Sequence, residues 1–266
     1  MSEPRTEAGR RLLTRDAAHR YTYEGVQYPG VTTILGCLDK SGPLMGWAAR
    51  ETATAAVRML DELPKMLETL GEAGVIAALS KRSAWTRDSA SQLGTEVHAL
   101  ADLVVRGEPT PSMTETQRGR VLHYAAWWKG ELAKGAKLRL SEAMVVRPND
   151  DGNVQSGWGG TFDLLYLDGD GATVLADIKT GKGVYREAVL QLAAYGMASL
   201  VQPAQDDLSK PPGVYPMPMP DRYVILHVTA DGVREIEVAV GTAERMAFLA
   251  CLDLYHWIES MKGKKL

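Results

Sequence analysis

Residues 175–195 read LADIKTGKGVYREAVLQLAAY, and the first five of them decide how the rest of the chain is read. Leu175, Ala176 and Ile178 belong to an apolar run of the kind that forms an interior strand, yet Asp177 and Lys179 sit within it, two residues apart. Side chains alternate along a strand. Thr173, Leu175, Asp177 and Lys179 therefore share one face, and Val174, Ala176 and Ile178 share the other. An aspartate and a lysine on a core strand cost free energy unless they are paired or put to use. Beyond Lys179 the sequence predicts a helix from about Tyr185 to Leu200, on which Gln191 and Tyr195, four residues apart, project together.

The strand has a partner just upstream. GTFDLLYL, DGDG and ATVLADIK (residues 160–179) read as a β-hairpin. If Gly169–Gly171 is a three-residue loop, Asp168 sits opposite Ala172, and five steps further along each strand Asp163 falls opposite Asp177. A loop two residues longer keeps both on the same face. An even-numbered loop separates them unless a bulge restores the parity. In the three-residue register two carboxylates meet about 5 Å apart at Cβ. Facing anions repel, and the arrangement makes sense with a hard cation between them. Oxygen donors at this spacing suit Mg²⁺ or Mn²⁺.

Outward from the hairpin, LRLSEAMVVRP (residues 138–148) reads as a strand carrying Glu142, and RYVILHV, TADG and VREIEVAV form a second hairpin. Residues 202–220 are Pro-rich and irregular, and a last helix runs over about Thr242–Met261 before KGKKL. Toward the N-terminus, residues 1–18 read as a loosely held tail and Tyr21–Leu35 as a short hairpin or extended segment turning at Glu24-Gly25. An Ala-rich helical stretch covers about Leu44–Leu79, with interruptions at Pro64 and Gly71–Gly74. Another helix starts at Asp88 or Ser89, with Leu93, Val97, Leu100, Ala101 and Val104 as its apolar stripe and with Gly107 and Pro109 ending it. A third spans about Thr114–Lys134 and carries Trp127 and Trp128. Helices first, then strands around one helix, then a closing helix give an α/β (α+β) core with an N-terminal helical elaboration. The boundary falls at residues 1–87 for the elaboration and 88–266 for the core, within one compact domain.

Composition narrows the classes. The 266 residues are 45% hydrophobic, ordinary for a chain with a real core. No apolar run approaches the roughly 20 residues of a membrane helix. The N-terminus is polar and lacks the apolar segment of a secretory signal, so the expectation is a soluble cytoplasmic protein with no membrane partner. The chain has two cysteines, Cys37 and Cys251. That rules against an iron–sulfur cluster or a structural zinc and makes a disulfide framework a weak idea. The net charge of -3 does not advertise a broadly basic nucleic-acid binder, though a basic groove can be local.

The residues also carry a family resemblance. Gly94-Thr95-Glu96-Val97-His98 on a helix, Glu142 on a strand, Gly160-Thr161-Phe162-Asp163, Asp177-Ile178-Lys179-Thr180, and Gln191 with Tyr195 follow one another in that order. This succession resembles the PD-(D/E)XK nuclease superfamily, and more narrowly its RecB-type and phage exonuclease branch. It covers residues 88–200 and extends to 21–50 through YPGVTTIL and Trp47. Each motif alone is weak; five in order on the expected element types are specific. The resemblance implies a restriction-endonuclease-like mixed central β-sheet flanked by helices. It also implies Mg²⁺-dependent hydrolysis of DNA phosphodiester bonds, with Mn²⁺ able to substitute. By the same resemblance Asp163, Asp177, His98 and the Ile178 carbonyl are metal ligands. Asp163, Asp177, Lys179 and Glu142 form the catalytic set, and Gln191, Tyr195 and Thr180 touch substrate. Some members of the superfamily carry four cysteines for an iron–sulfur cluster; this chain places with the cluster-free, phage-like members. The implied setting is end processing of linear DNA in recombination or repair, beside a single-strand annealing or recombinase protein, in the host cytoplasm for a phage-encoded chain.

Plainer readings stand beside these. Asp177 and Lys179 could form a surface ion pair on an edge strand, Asp163 could flank a turn, and Glu142 could be an exposed residue at a strand start. His98 could be a hydrogen-bonded core histidine, and Gln191 and Tyr195 a helix-surface pair. Trp127 and Trp128 read as packing rather than as stacking platforms for bases, and Arg82, Arg87 and the KGKK tail as solvated charge. An endonuclease on the same core, a non-catalytic nucleic-acid-binding module, and a structural or assembly protein with a coincidental D-x-K are the functional alternatives.

Overall fold

The computed structural model of the chain describes residues 13–149, 156–204 and 213–264. Most of the expected tail, the centre of the Pro-rich stretch and the last two residues lie outside the described residues. The elements run β1 (Leu13–Arg15), β2 (Tyr21–Tyr23), β3 (Val26–Tyr28), α1 (Val31–Ile34), a 3₁₀ turn (Leu35–Cys37), α2 (Ser41–Arg58), α3 (Leu63–Ser80), α4 (Arg82–Arg106) and α5 (Glu115–Ala133). They continue with β4 (Lys137–Arg147), β5 (Trp158–Leu167), β6 (Thr173–Lys179), α6 (Glu187–Gly196), β7 (Leu200–Gln202), β8 (Tyr215–Pro216), β9 (Arg222–Val228), β10 (Val233–Val238) and α7 (Thr242–Met261).

Two units emerge. One combines the described part of Met1–Cys37 with Val97–Leu266; the other is Leu38–Glu96. This differs from a division at residue 87: the N-terminal strands belong with the core, and the boundary falls inside α4. The reason is packing. The Tyr21 ring lies where a Cβ on Gly159 would stand, 2.4 Å from the Tyr21 Cβ and Cγ, and the Tyr21 hydroxyl meets the Thr161 hydroxyl at 3.0 Å. The Gln202 side chain also clamps β1, accepting from the Leu13 N–H and donating to its carbonyl, both at 2.9 Å.

The larger unit is built on a seven-stranded mixed sheet of order β10-β9-β6-β5-β4-β7-β8, with a separate three-stranded antiparallel sheet of β1, β2 and β3. β6 and β9 run parallel and the other neighbours antiparallel. This is the α+β class expected from the order of elements. The β5–β6 hairpin takes the three-residue register: Asp168 donates its N–H to the Ala172 carbonyl at 3.0 Å, and Leu164 faces Ala176. The even-numbered face of that hairpin is core. Leu164, Tyr166, Val174, Ala176 and Ile178 bury against Ala101 and Val105 of α4 and Tyr124 and Trp128 of α5. Trp127 and Trp128 both meet the edge of the Tyr166 ring, and Trp127 donates to Glu235 at 3.2 Å, so these tryptophans are packing residues.

Local signals explain the element ends. Thr114 caps α5 with a full capping box to Gln117. Pro64 opens α3 rather than breaking it, and the kink in that helix falls at Gly71, with φ 67° and ψ 171°. α4 begins at Arg82, six residues ahead of the Asp88 expected as its start, because no residue of 82–88 breaks a helix. In the smaller unit Thr86 donates to Glu51 at 3.4 Å, Arg82 lies 5.3 Å over the Trp85 ring and Arg87 pairs with Asp88 at 3.0 Å. Among the described residues no helix is long and apolar enough to cross a membrane.

The tyrosine–glycine contact yields a test. In Gly159→Ala the new methyl would collide with the Tyr21 Cβ itself, which cannot swing away. Overpacking of this kind costs about 1–3 kcal/mol. Urea denaturation should show a lowered midpoint with an unchanged slope; an unaltered midpoint would mean that β2 does not sit on β5.

Candidate functional site

The site grows from Asp163. Its strand lies between β4 and β6, and its carboxylate is held from two directions: Oδ2 accepts the Ile178 N–H at 2.6 Å and Oδ1 lies 3.1 Å from His98 Nδ1. One position beyond the last paired residues of the hairpin, Asp163 stands across from Asp177. On its other side the pairs Ser141–Leu164 and Ala143–Phe162 leave Glu142 across from it. Three elements thus bring a carboxylate or an imidazole to one point. Ligand atoms of His98, Glu142 and Asp163 all lie within 4.8 Å of one another.

Glu142 reaches that point through strain. Its φ is +45°, in the left-handed region, in the middle of β4. For a non-glycine residue this conformation costs on the order of 1–2 kcal/mol and persists only where surrounding structure holds it. Strain of this kind gathers at functional sites.

Asp177 takes a different part. Its carboxylate is buried and pairs with Lys179 on the same face, Nζ to Oδ2 at 2.6 Å, rather than joining the His98–Glu142–Asp163 group. The lysine two residues away is the nearest counter-charge on that face. Lys179 also donates to Gln191 Oε1 at 2.9 Å, and Gln191 Nε2 donates to the Tyr195 hydroxyl at 3.1 Å. Asp177, Lys179, Gln191 and Tyr195 therefore form one polar chain from β6 to α6. The Tyr195 ring rests where a Cβ on Gly160 would stand, 2.5 Å from Cε1, with Val31 3.3 Å away, so the glycine before Thr161 is needed for this packing. Ile178 enters the site through its N–H. Thr180 opens a loop that His227 pins by meeting the Gly181 carbonyl at 2.8 Å.

Electrostatics follow from this crowding. Burial pushes Asp163 up, but the charge and hydrogen bond of His98, the charge of Lys179 and the Ile178 N–H outweigh it, and the carboxyl is held below its usual range. Burial pulls His98 down, yet the Asp163 charge and hydrogen bond, with Glu142 and Asp177, raise it to about 9. Burial and then the Asp163 charge push Glu142 up to about 8. Burial and the Asp163 charge also raise Asp177 to about 6, against the pull of Lys179. Burial opposes the lysine's charge, but Asp177 and Asp163 prevail and hold Lys179 above its usual value. Burial, with the charges of Asp177 and Asp163, keeps the Tyr195 phenol protonated.

Three further groups belong to this neighbourhood. Tyr124 is buried in α5 and feels the charges of Asp163, Asp102 and Glu142. Asp102, one helical turn beyond His98, adds to the field on Glu142. Tyr21 positions Thr161. Helical spacing alone puts Asp102 on the face of His98, four residues away; no pattern in the sequence marks Tyr124 or Tyr21.

No protein-family model matches the chain, and no curated protein matches it. Among solved structures, one titled "Crystal structure of SSO0001" aligns at 16% identity with a TM-score of 0.33, over 58% of this chain and 64% of that one. A likeness of that size carries nothing about activity.

His98, Glu142 and Asp177 all hold protons more tightly in the folded chain than in an unfolded one. A group whose pKa is raised by folding adds stability below its unfolded value and loses it as pH climbs through the folded one. The window runs from 6.5 to about 9 for His98 and from 4.5 to about 8 for Glu142. In EDTA the melting temperature should therefore fall steadily from pH 6.5 to 9. Glu142→Gln should flatten part of that slope, and excess Mg²⁺ should restore stability at the alkaline end. A melting temperature level across that range would show that these groups do not share one buried site.

Proposed function

We propose that this chain is a metal-dependent deoxyribonuclease that hydrolyses phosphodiester bonds from the ends of linear DNA. The observation that carries the reading is the convergence of His98, Glu142 and Asp163 from one helix and two strands, beside the Asp177–Lys179 pair. The donor set fits the group: one imidazole nitrogen and two carboxylates are hard to borderline donors suited to Mg²⁺ or Mn²⁺. The strained Glu142 is the kind of cost a chain carries where a ligand needs that carboxylate.

In this reading His98, Glu142 and Asp163 hold the ion, with Asp177 and the Ile178 carbonyl as the further expected donors. The bound ion would lower the pKa of a coordinated water and offset charge on the phosphate oxygens. Lys179 stays protonated, because Asp177 and Asp163 hold its proton. It therefore acts as a cation toward the phosphate and not as a general base. Gln191 fixes where that cation points, with its amide oriented by the lysine and tyrosine contacts. The Tyr195 hydroxyl accepts from Gln191 and keeps a proton to donate to a phosphate oxygen.

Two experiments test the assignment. Asp177→Asn keeps the shape of the buried side chain and should abolish cleavage in Mg²⁺ while the circular dichroism spectrum stays native. His98→Ala should lower the rate by orders of magnitude, with partial recovery in Mn²⁺. Wild-type rates in both variants would sink the metal assignment.

End dependence is tested separately. Linear end-labelled DNA should be shortened to small products, covalently closed circles should survive, and bulky adducts on both ends should stop the reaction. Circles linearised at a comparable rate would replace the exonuclease by an endonuclease using the same residues.

A further inference from the structure

Cys37 and Cys251 are the chain's two cysteines, 214 residues apart in sequence, and the fold sets them side by side. Cys37 ends the 3₁₀ turn after α1, and its thiol donates to the Cys251 carbonyl at 3.7 Å. Cys251 lies buried on α7 between Phe248 and Leu252, whereas Cys37 is half-buried. Two cysteines placed without regard to each other would rarely meet.

We infer that Cys37 and Cys251 form a reversible intramolecular disulfide when the chain meets a low-molecular-weight disulfide oxidant. Access fixes the order of events. The Cys37 thiolate attacks one sulfur of the oxidant and forms a mixed disulfide, and the other half of the oxidant departs as a thiol. Cys251 then attacks the Cys37 sulfur, its proton passing to the second departing thiolate. The two protein thiols lose two electrons and two protons, and one oxidant disulfide becomes two thiols. Burial, and next to it the Cys37 charge, raise the Cys251 thiol to about 11, so it stays protonated and unreactive until the mixed disulfide stands beside it.

The bond would fasten one end of a strap whose other end lies near the candidate site. The Gly159 N–H donates to the Pro29 carbonyl at 3.0 Å, and Val31 packs beside Gly160 and the Tyr195 ring. The same strap ends at Cys37, against α7. A cross-link over so long a loop restricts the unfolded chain strongly, so the oxidised protein should melt several degrees higher. The inference is independent of the nuclease reading.

The test uses the reduced full-length chain and oxidised glutathione. Both thiols should disappear together, the intact mass should fall by two hydrogens, and non-reduced peptide mapping should return one Cys37–Cys251 cross-link in a monomer. Dithiothreitol should reverse the mass change and the rise in melting temperature. Cys251→Ser should stop at a stable glutathione adduct on Cys37, and Cys37→Ser should stay unmodified. A lasting adduct on wild-type Cys37, disulfide-linked dimers, or two persisting thiols would each overturn the proposal. The wild-type arms decide it even if a variant fails to fold.

Discussion

An ionised carboxylate held largely out of water is the constraint from which this site is built. Removing such a charge from water costs several kcal/mol unless partners are arranged around it. Asp163 has three sources of compensation: the Ile178 N–H from β6, His98 from α4, and the field of Lys179. Two of these come from β6 and one from α4, so satisfying one charge on β5 fixes the spacing of a helix and two strands. The apolar face of the same hairpin supplies the rigidity. Leu164, Ala176 and Ile178 bury against α4 and α5 and hold the polar groups at that end in place.

Much of this was legible because it depends on parity. The alternation of Asp177 and Lys179, and the three-residue loop at Gly169–Gly171, sufficed to place Asp163 across from Asp177. The capping box at Thr114 and the final helix were equally local. What the sequence could not carry was competition between partners. Facing carboxylates raise the expectation of a cation between Asp163 and Asp177; in the structure Lys179 pairs with Asp177, while Glu142 and His98 gather at Asp163. The left-handed turn at Glu142 leaves no trace in residue type, since glycine or asparagine would be the usual choice there. The place of β1 to β3 in the larger unit depends on tyrosine rings lying over glycines more than a hundred residues away, which no periodicity reveals.

The charges also say what a divalent ion would add. At neutral pH the site without an ion holds protonated His98 and Lys179 against ionised Asp163 and largely ionised Asp177, with Glu142 protonated. Positive and negative charges then cancel. Exchanging the His98 and Glu142 protons for one divalent cation leaves the balance unchanged, because two positive charges replace two. The ion's contribution is therefore concentration of charge at one point rather than a net attraction. A distant phosphate chain would feel little pull from the centre in either state, and the protein as a whole is slightly acidic. In the proposed nuclease, attraction to DNA would come from cations along the approach, where each phosphate contact releases counterions and makes affinity fall with salt. Binding and chemistry would be separable: salt would weaken the first, while proton–metal exchange at Glu142 and His98, beside the ionised Asp163, would govern the second.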